Sequence, residues 1–250
     1  MRIFKRLTST YKKLANEESI LVYQMGKVGS TSLERSIPGA VQLHSLYGRP
    51  PCHLHEKKLR ESLIGNLWLK FRDAFTRFAI NRRKKIRIIT LIRNPLDRNV
   101  SMFFQDLLFW GRDYVDQHRP DTREEGEIFL VEAFHKAFDH FYFDTWFDEE
   151  IKRFTGIDVF EYANSESGHI RIQQGRFDIL LLKTEQLNTP QAREAMADFC
   201  KSEVKLSGEN KGENKWYAEA YTRVKGIIAS DREYRAQIQS TRTYRHFYLE

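Results

Sequence analysis

The chain has 250 residues, of which 41% are hydrophobic and 30% charged, so a disordered polar segment is excluded and one well-buried domain over 1–250 is expected. Its net charge of +7 favours anionic partners, whether nucleotides, acidic glycans, nucleic acid or an anionic membrane surface, without choosing among them. Two cysteines, Cys52 and Cys200, do not make a disulfide framework, and no C-x-x-C spacing points to zinc, so no metal is expected.

The first segment, Met1–Asn16, carries Arg2, Lys5, Arg6, Lys12 and Lys13 but no apolar core of signal-peptide length. No apolar run is long enough to span a bilayer, so a cytoplasmic protein is expected, with weak membrane-surface contact through this basic segment at most. Ile20–Met25 is a short β-branched and aromatic run that reads as a buried strand ending at Gly26. A small-residue turn, Gly26–Ser32, leads into a helix from Thr31 to Ser36, stopped by Pro38-Gly39. Ala40–Leu43 is a second strand. Glu56–Asn81 reads as a helix, with Leu59, Leu63, Leu67, Phe71, Phe75 and Phe78 at helical spacing, followed by a basic surface turn at Arg82–Lys85.

Ile86–Ile92 is a third buried strand, ended by Asn94-Pro95, and a helix follows from Leu96 to Trp110. Asp116–Gly126 reads as an exposed loop and Ile128–Phe154 as an aromatic-rich helix; Asp116–Gly126 and the aromatic segment Phe134–Phe147 are expected to shape an acceptor pocket. Phe177–Leu182 is a fourth buried strand, Pro190–Ser202 a helix and Ser207–Asn214 a polar loop. The segment 203–250 closes the chain as a helical elaboration, with helices at Trp216–Ile228 and Asp231–Ser240. Continuous apolar strands alternating with helices predict an α/β fold, a parallel sheet flanked by helices.

Two motifs carry chemistry. Gly26, Lys27, Val28, Gly29, Ser30, Thr31 and Ser32 join a strand to a helix, an arrangement that gathers backbone N–H groups, hydroxyls and a lysine around an anion. This is not the triphosphate loop G-x-x-x-x-G-K-[ST], because Lys27 lies between the glycines. Arg93 ends the third strand, and Ser101 falls two turns into the next helix. Ligands of open parallel sheets bind at that strand edge, and an arginine fork with a serine hydroxyl suits a second phosphate.

Together these residues resemble the sulfotransferase superfamily. Lys27–Ser32 is similar to its 5′-phosphosulfate loop, and Arg93-Asn94-Pro95 through Asp97-Arg98 and Ser101 to its 3′-phosphate motif. The resemblance implies a P-loop-like fold and 3′-phosphoadenosine 5′-phosphosulfate as co-substrate, with Lys27 catalytic at the leaving oxygen. Asn210-Lys211-Gly212 with Trp216 resembles the loop that closes over the 3′-phosphate in that superfamily, which adds Lys211 and Gly212 to the expected nucleotide contacts. Glu213-Asn214-Lys215-Trp216-Tyr217, followed by Tyr221, Tyr234 and Arg245-His246-Phe247-Tyr248, resembles a bacterial capsular polysaccharide synthesis family with an Asn-Lys-Trp-Tyr-Ser signature, although Ala218 stands at the serine position. That likeness implies a carbohydrate acceptor.

Sulfuryl transfer needs a base for the acceptor hydroxyl, and histidine suits neutral pH. His44, at the end of the second strand, is the first candidate, with His53 and His55 as alternatives on the next loop. Three other functions stay open: a non-catalytic nucleotide- or glycan-binding factor in capsular polysaccharide synthesis, a nucleotide-dependent kinase, and nucleic-acid binding. The last is not expected, since no nucleic-acid module accompanies the basic run at Asn81–Lys85.

Overall fold

A computed structural model of the protein describes residues 10–48, 62–107, 123–164, 167–206 and 217–249. These fall into two compact units. The first holds the described residues up to Arg93 and those of 146–206; the second holds 94–107, 123–145 and 217–249.

The first unit is α/β, built on a five-stranded sheet in the order β2-β1-β3-β5-β4. Its strands are β1 (Ile20–Tyr23), β2 (Val41–Leu43), β3 (Ile86–Ile92), β4 (His169–Gln174) and β5 (Phe177–Lys183). The first unit's helices are α1 (residues 10–15), α2 (Ser30–Ser36), α3 (Leu63–Asn81) and α7 (Pro190–Cys200). β1, β2, β3 and β5 are mutually parallel where they pair, and β4 runs antiparallel to β5. The central strands form continuous apolar runs because both faces are covered; Leu21, Val22, Ile88, Ile89, Ile179 and Leu180 are wholly buried.

In the first unit two expectations change. β4 is a fifth strand that the continuous-run criterion passes over, since only Ile170 and Ile172 of its six residues are buried. The turn at Arg82–Lys85 is not all surface. Arg83 is only 1% exposed and donates to the carbonyls of Leu14 at 2.6 Å, Ser19 at 2.8 Å and Lys13 at 3.2 Å, fastening α1 to the sheet. Burial lowers its pKa to about 10, which leaves it charged at neutral pH. The apolar stripe of α3 faces outward: Leu63, Leu67, Phe71 and Phe78 are exposed. Ser62 caps this helix, accepting from the Gly65 N–H at 3.0 Å, and Leu59 lies outside the described residues.

The second unit is helical: α4 (Pro95–Gln105), α5 (Arg123–Ala137), α8 (Ala218–Ser230), α9 (Arg232–Gln239) and α10 (Arg242–Tyr248). Pro95 opens α4, where its missing N–H costs nothing, and the Asn94 side chain accepts from the Leu96 N–H at 3.1 Å. The long helix expected from Ile128 breaks after Ala137, where Asp139 accepts from the Phe141 N–H at 3.2 Å. It resumes over 142–155 as α6, made of Tyr142–Trp146, a π-helical turn Phe147–Lys152, and Arg153–Thr155. The aromatic segment expected to wall a pocket is core instead, with Phe134 and Phe143 wholly buried. Ring contacts bind this unit, Phe134 meeting Phe103 at 5.4 Å and Tyr234 at 5.3 Å.

Candidate functional site

Sheet order places the site. From β1 the chain goes to β2 on one flank and then to β3 on the other, so the order reverses between β1 and β3. Open α/β sheets bind ligands at such a switch point, beyond the carboxyl ends of the strands. The loop after β1 and the arginine after β3 emerge there.

The loop is tightly formed. Met25, Gly26 and Val28 are buried, and Lys27 is half-buried. Lys27 has a φ of 69°, in the left-handed region, which costs a non-glycine residue about 1–2 kcal/mol. Gly29, at φ 85°, caps α2; a Cβ there would stand 3.3 Å from Thr184 Cγ2, so both conformation and space call for glycine. Ser30 and Thr31 begin α2, and Ser32 lies half-buried within it.

Two later strands hold the loop. Arg93 Nη1 donates to the Lys27 carbonyl at 3.2 Å, which joins the end of β3 to the lysine's own peptide. Thr184, just past β5, has its hydroxyl 2.8 Å from the Val28 carbonyl and 3.0 Å from the Ile92 carbonyl. A hydroxyl has one proton, so it donates to one of these at a time. The carboxyl ends of β1, β3 and β5 therefore converge on the successive carbonyls of Lys27 and Val28.

His44 ends β2 and is half-buried, with Nδ1 3.1 Å from the Gln24 carbonyl and its own carbonyl accepting from Trp146 Nε1 at 3.2 Å. A proton on Nδ1, given to that carbonyl, makes Nε2 the basic nitrogen. Gln24, between β1 and the loop, is wholly buried, and neither atom of its side-chain amide has a hydrogen-bond partner among the described residues. A buried amide in that state gains by meeting a polar ligand or water.

The turn after β2 depends on Glu150, a wholly buried carboxylate in the π-helical turn of α6. It accepts from Tyr23 Oη, from Ser45 Oγ at 2.9 Å, from the Leu46 N–H at 2.7 Å and from the Tyr47 N–H at 3.2 Å. Glu150 thereby fixes the segment leaving His44. The sequence flags neither Thr184 nor Glu150; the one available signal is an acidic run, Asp148-Glu149-Glu150, inside an aromatic helix.

Ser101 is half-buried on α4 in the second unit. Lys211, Gly212, Trp216, His53 and His55 lie outside the described residues. Among the described residues, no group of three or more His, Cys, Asp or Glu is arranged to hold a metal ion.

In the second unit, Asn99 Nδ2 donates to the His140 carbonyl at 2.9 Å and to Tyr234 Oη at 3.0 Å, and His140 Nδ1 lies 3.2 Å from the same Oη. Burial lowers the His140 pKa and raises that of Tyr234, so both are neutral near pH 7. Tyr217 and Tyr221 pack on Phe104 at 5.5 and 5.3 Å, a structural use for two aromatic residues at and just after the signature.

A family model described as "Putative capsular polysaccharide synthesis protein" and named NKWYS matches residues 124–249. The match begins after the Lys27 loop and Arg93 in sequence and takes in Glu150, Thr184 and the aromatic core of the second unit. Comparison with the curated proteins and with the solved structures gives no match.

Proposed function

With half of its length matched, the chain belongs to the NKWYS family, whose model is described as "Putative capsular polysaccharide synthesis protein", and from the sulfotransferase-like motifs at Lys27–Ser32 and Arg93–Ser101 we propose that it transfers a sulfuryl group from 3′-phosphoadenosine 5′-phosphosulfate to a glycan hydroxyl. The observation that carries the reading is the Arg93–Lys27 hydrogen bond, which brings two cationic side chains to one loop at the switch point of the sheet. A nucleotide with phosphate groups at both ends of its ribose has use for both.

The donor supplies an activated sulfur–oxygen bond. Lys27 and the backbone N–H groups at the start of α2 stabilise the charge that collects on the 5′-phosphate oxygen as that bond breaks. His44 Nε2 takes the proton of the acceptor hydroxyl while its oxygen bonds to sulfur. Arg93 binds the 3′-phosphate. Glu150 acts at a distance, as a positioning residue for the turn that follows His44.

Calorimetric titration of the full chain with 3′-phosphoadenosine 5′-phosphate and, separately, with ATP tests the reading. The bisphosphate is expected to bind more tightly. A preference for ATP rejects the sulfotransferase reading in favour of a kinase.

A further inference from the structure

Helix α3 carries a surface that the nucleotide site does not use. Of the ten large apolar residues that stand exposed among the described ones, six lie on this helix: Leu63, Ile64, Leu67, Trp68, Phe71 and Phe78. Each is more than half exposed, and Ile64 reaches 82%. At about 100° per residue they fall on a single arc of roughly 140°. The other side of the helix buries Gly65, Leu69, Asp73, Ala79 and Ile80. Soluble monomers rarely leave so continuous an apolar surface open unless something covers it.

The borders of the arc indicate what covers it. By the same periodicity Lys70 and Arg77 stand along one edge and Arg72 along the other, its guanidinium 5.9 Å from the Trp68 ring centroid. Lys70 and Arg77 also line a cavity of about 250 Å³, together with Asn66, Tyr47 and Arg153. There the Tyr47 ring lies 4.6 Å from the Arg77 guanidinium and 4.3 Å from that of Arg153. Asp73, the acid lining this cavity, is paired with Arg72 at 2.9 Å. Tyr11 of α1 meets Phe75 of α3 at 5.8 Å, and α1 presents Lys12 and Lys13 exposed.

We propose that α3 lies flat in the interface of an anionic lipid bilayer. Its apolar arc enters the headgroup–acyl boundary, Lys70 reaches outward to the headgroups, and the cavity beside Tyr47 receives a lipid phosphate. A long apolar arc with basic borders and a tryptophan near its margin is the pattern of an interfacial helix. Spanning is ruled out for this helix, since no described helix is long and apolar enough to cross a membrane. A second copy of the chain is a poorer occupant, because two such faces would bring like-charged borders together.

The test is flotation of the full chain with vesicles of phosphatidylcholine alone and with vesicles of equal parts phosphatidylcholine and phosphatidylglycerol. Binding to the mixed vesicles, weakened by salt, is expected. The double variant Leu67→Ser with Phe71→Ser changes only exposed side chains, and it should lower that partition at least about tenfold. Lys70→Gln should lower it about fivefold on the mixed vesicles and hardly at all on phosphatidylcholine. Circular dichroism checks that both variants stay folded. Failure to float with either vesicle, or unchanged flotation of the folded double variant, overturns the proposal. So does a concentration-dependent dimer that the double variant abolishes, since the face then belongs to a second copy. No readout involves nucleotide or transfer, so the outcome is independent of the proposed activity.

Discussion

Thr184 reaches Val28 across 156 positions of sequence, its hydroxyl 2.8 Å from the Val28 carbonyl. The contact makes the far end of β5 a support for the loop after β1. Thr184→Val keeps the shape and removes the hydroxyl, so it should cost about 1–2 kcal/mol in urea unfolding, with the bisphosphate bound more weakly. Thr184→Ser should recover most of both losses. Wild-type stability and affinity in the valine variant would show that the hydroxyl does not hold the loop.

Arg93 should separate two nucleotides. Arg93→Gln is expected to weaken 3′-phosphoadenosine 5′-phosphate by about 1.5–3 kcal/mol, the usual loss for a hydrogen bond to a charged group. Adenosine 5′-monophosphate, which lacks the second phosphate, should bind nearly as before. Equal losses for the two nucleotides would mean that Arg93 acts only by supporting the Lys27 carbonyl.

Lys27→Ala should abolish transfer and leave bisphosphate binding measurable by titration, because the loop amides and Arg93 remain. Turnover near that of the unaltered protein on any identified acceptor would reject a role for Lys27 at the leaving oxygen.

His44→Ala should slow turnover by roughly 10²–10⁴-fold with little change in nucleotide affinity. A parallel loss of affinity would make His44 a support for the Gln24 backbone instead of the base. His53 and His55, replaced singly, provide the comparison.

A fifth prediction concerns stability and pH. Burial depresses the His140 pKa below its ordinary 6.5, so the folded state binds a proton less readily than the unfolded chain. Its contribution is complete above that ordinary value and is lost as pH falls through the lowered folded value. Thermal unfolding should therefore shift to lower temperature on acidification below about pH 6.5, and less so in His140→Gln. A profile identical in the variant would assign the acid sensitivity to other groups.

The elements legible in the sequence are those whose burial is complete. β1, β3 and β5 are continuous apolar runs because helices cover both faces, and their order along the chain leads directly to the switch point. β4 escapes notice because as an edge strand it alternates, although the period-two pattern at Ile170 and Ile172 and the turn at Gly175 were signals for it. For α3, spacing identifies a helix but carries no label for which environment meets the apolar side. Lys27, Gly29 and Arg93 stand in local motifs and could be picked out. Thr184 and Glu150 act through bonds between segments roughly a hundred or more residues apart, and no local pattern encodes those.

The sheet's two margins have a consequence for colloidal behaviour. An exposed strand edge is a template on which further chains can add, the first step toward fibres. β2 offers such a chain only three residues. On β4, Arg171 is engaged with Asp178 at 3.1 Å and Asp198 at 2.5 Å, so an arriving strand meets charge where it needs a flat apolar ribbon. Each margin is a dead end for strand addition, one by brevity and the other by charge.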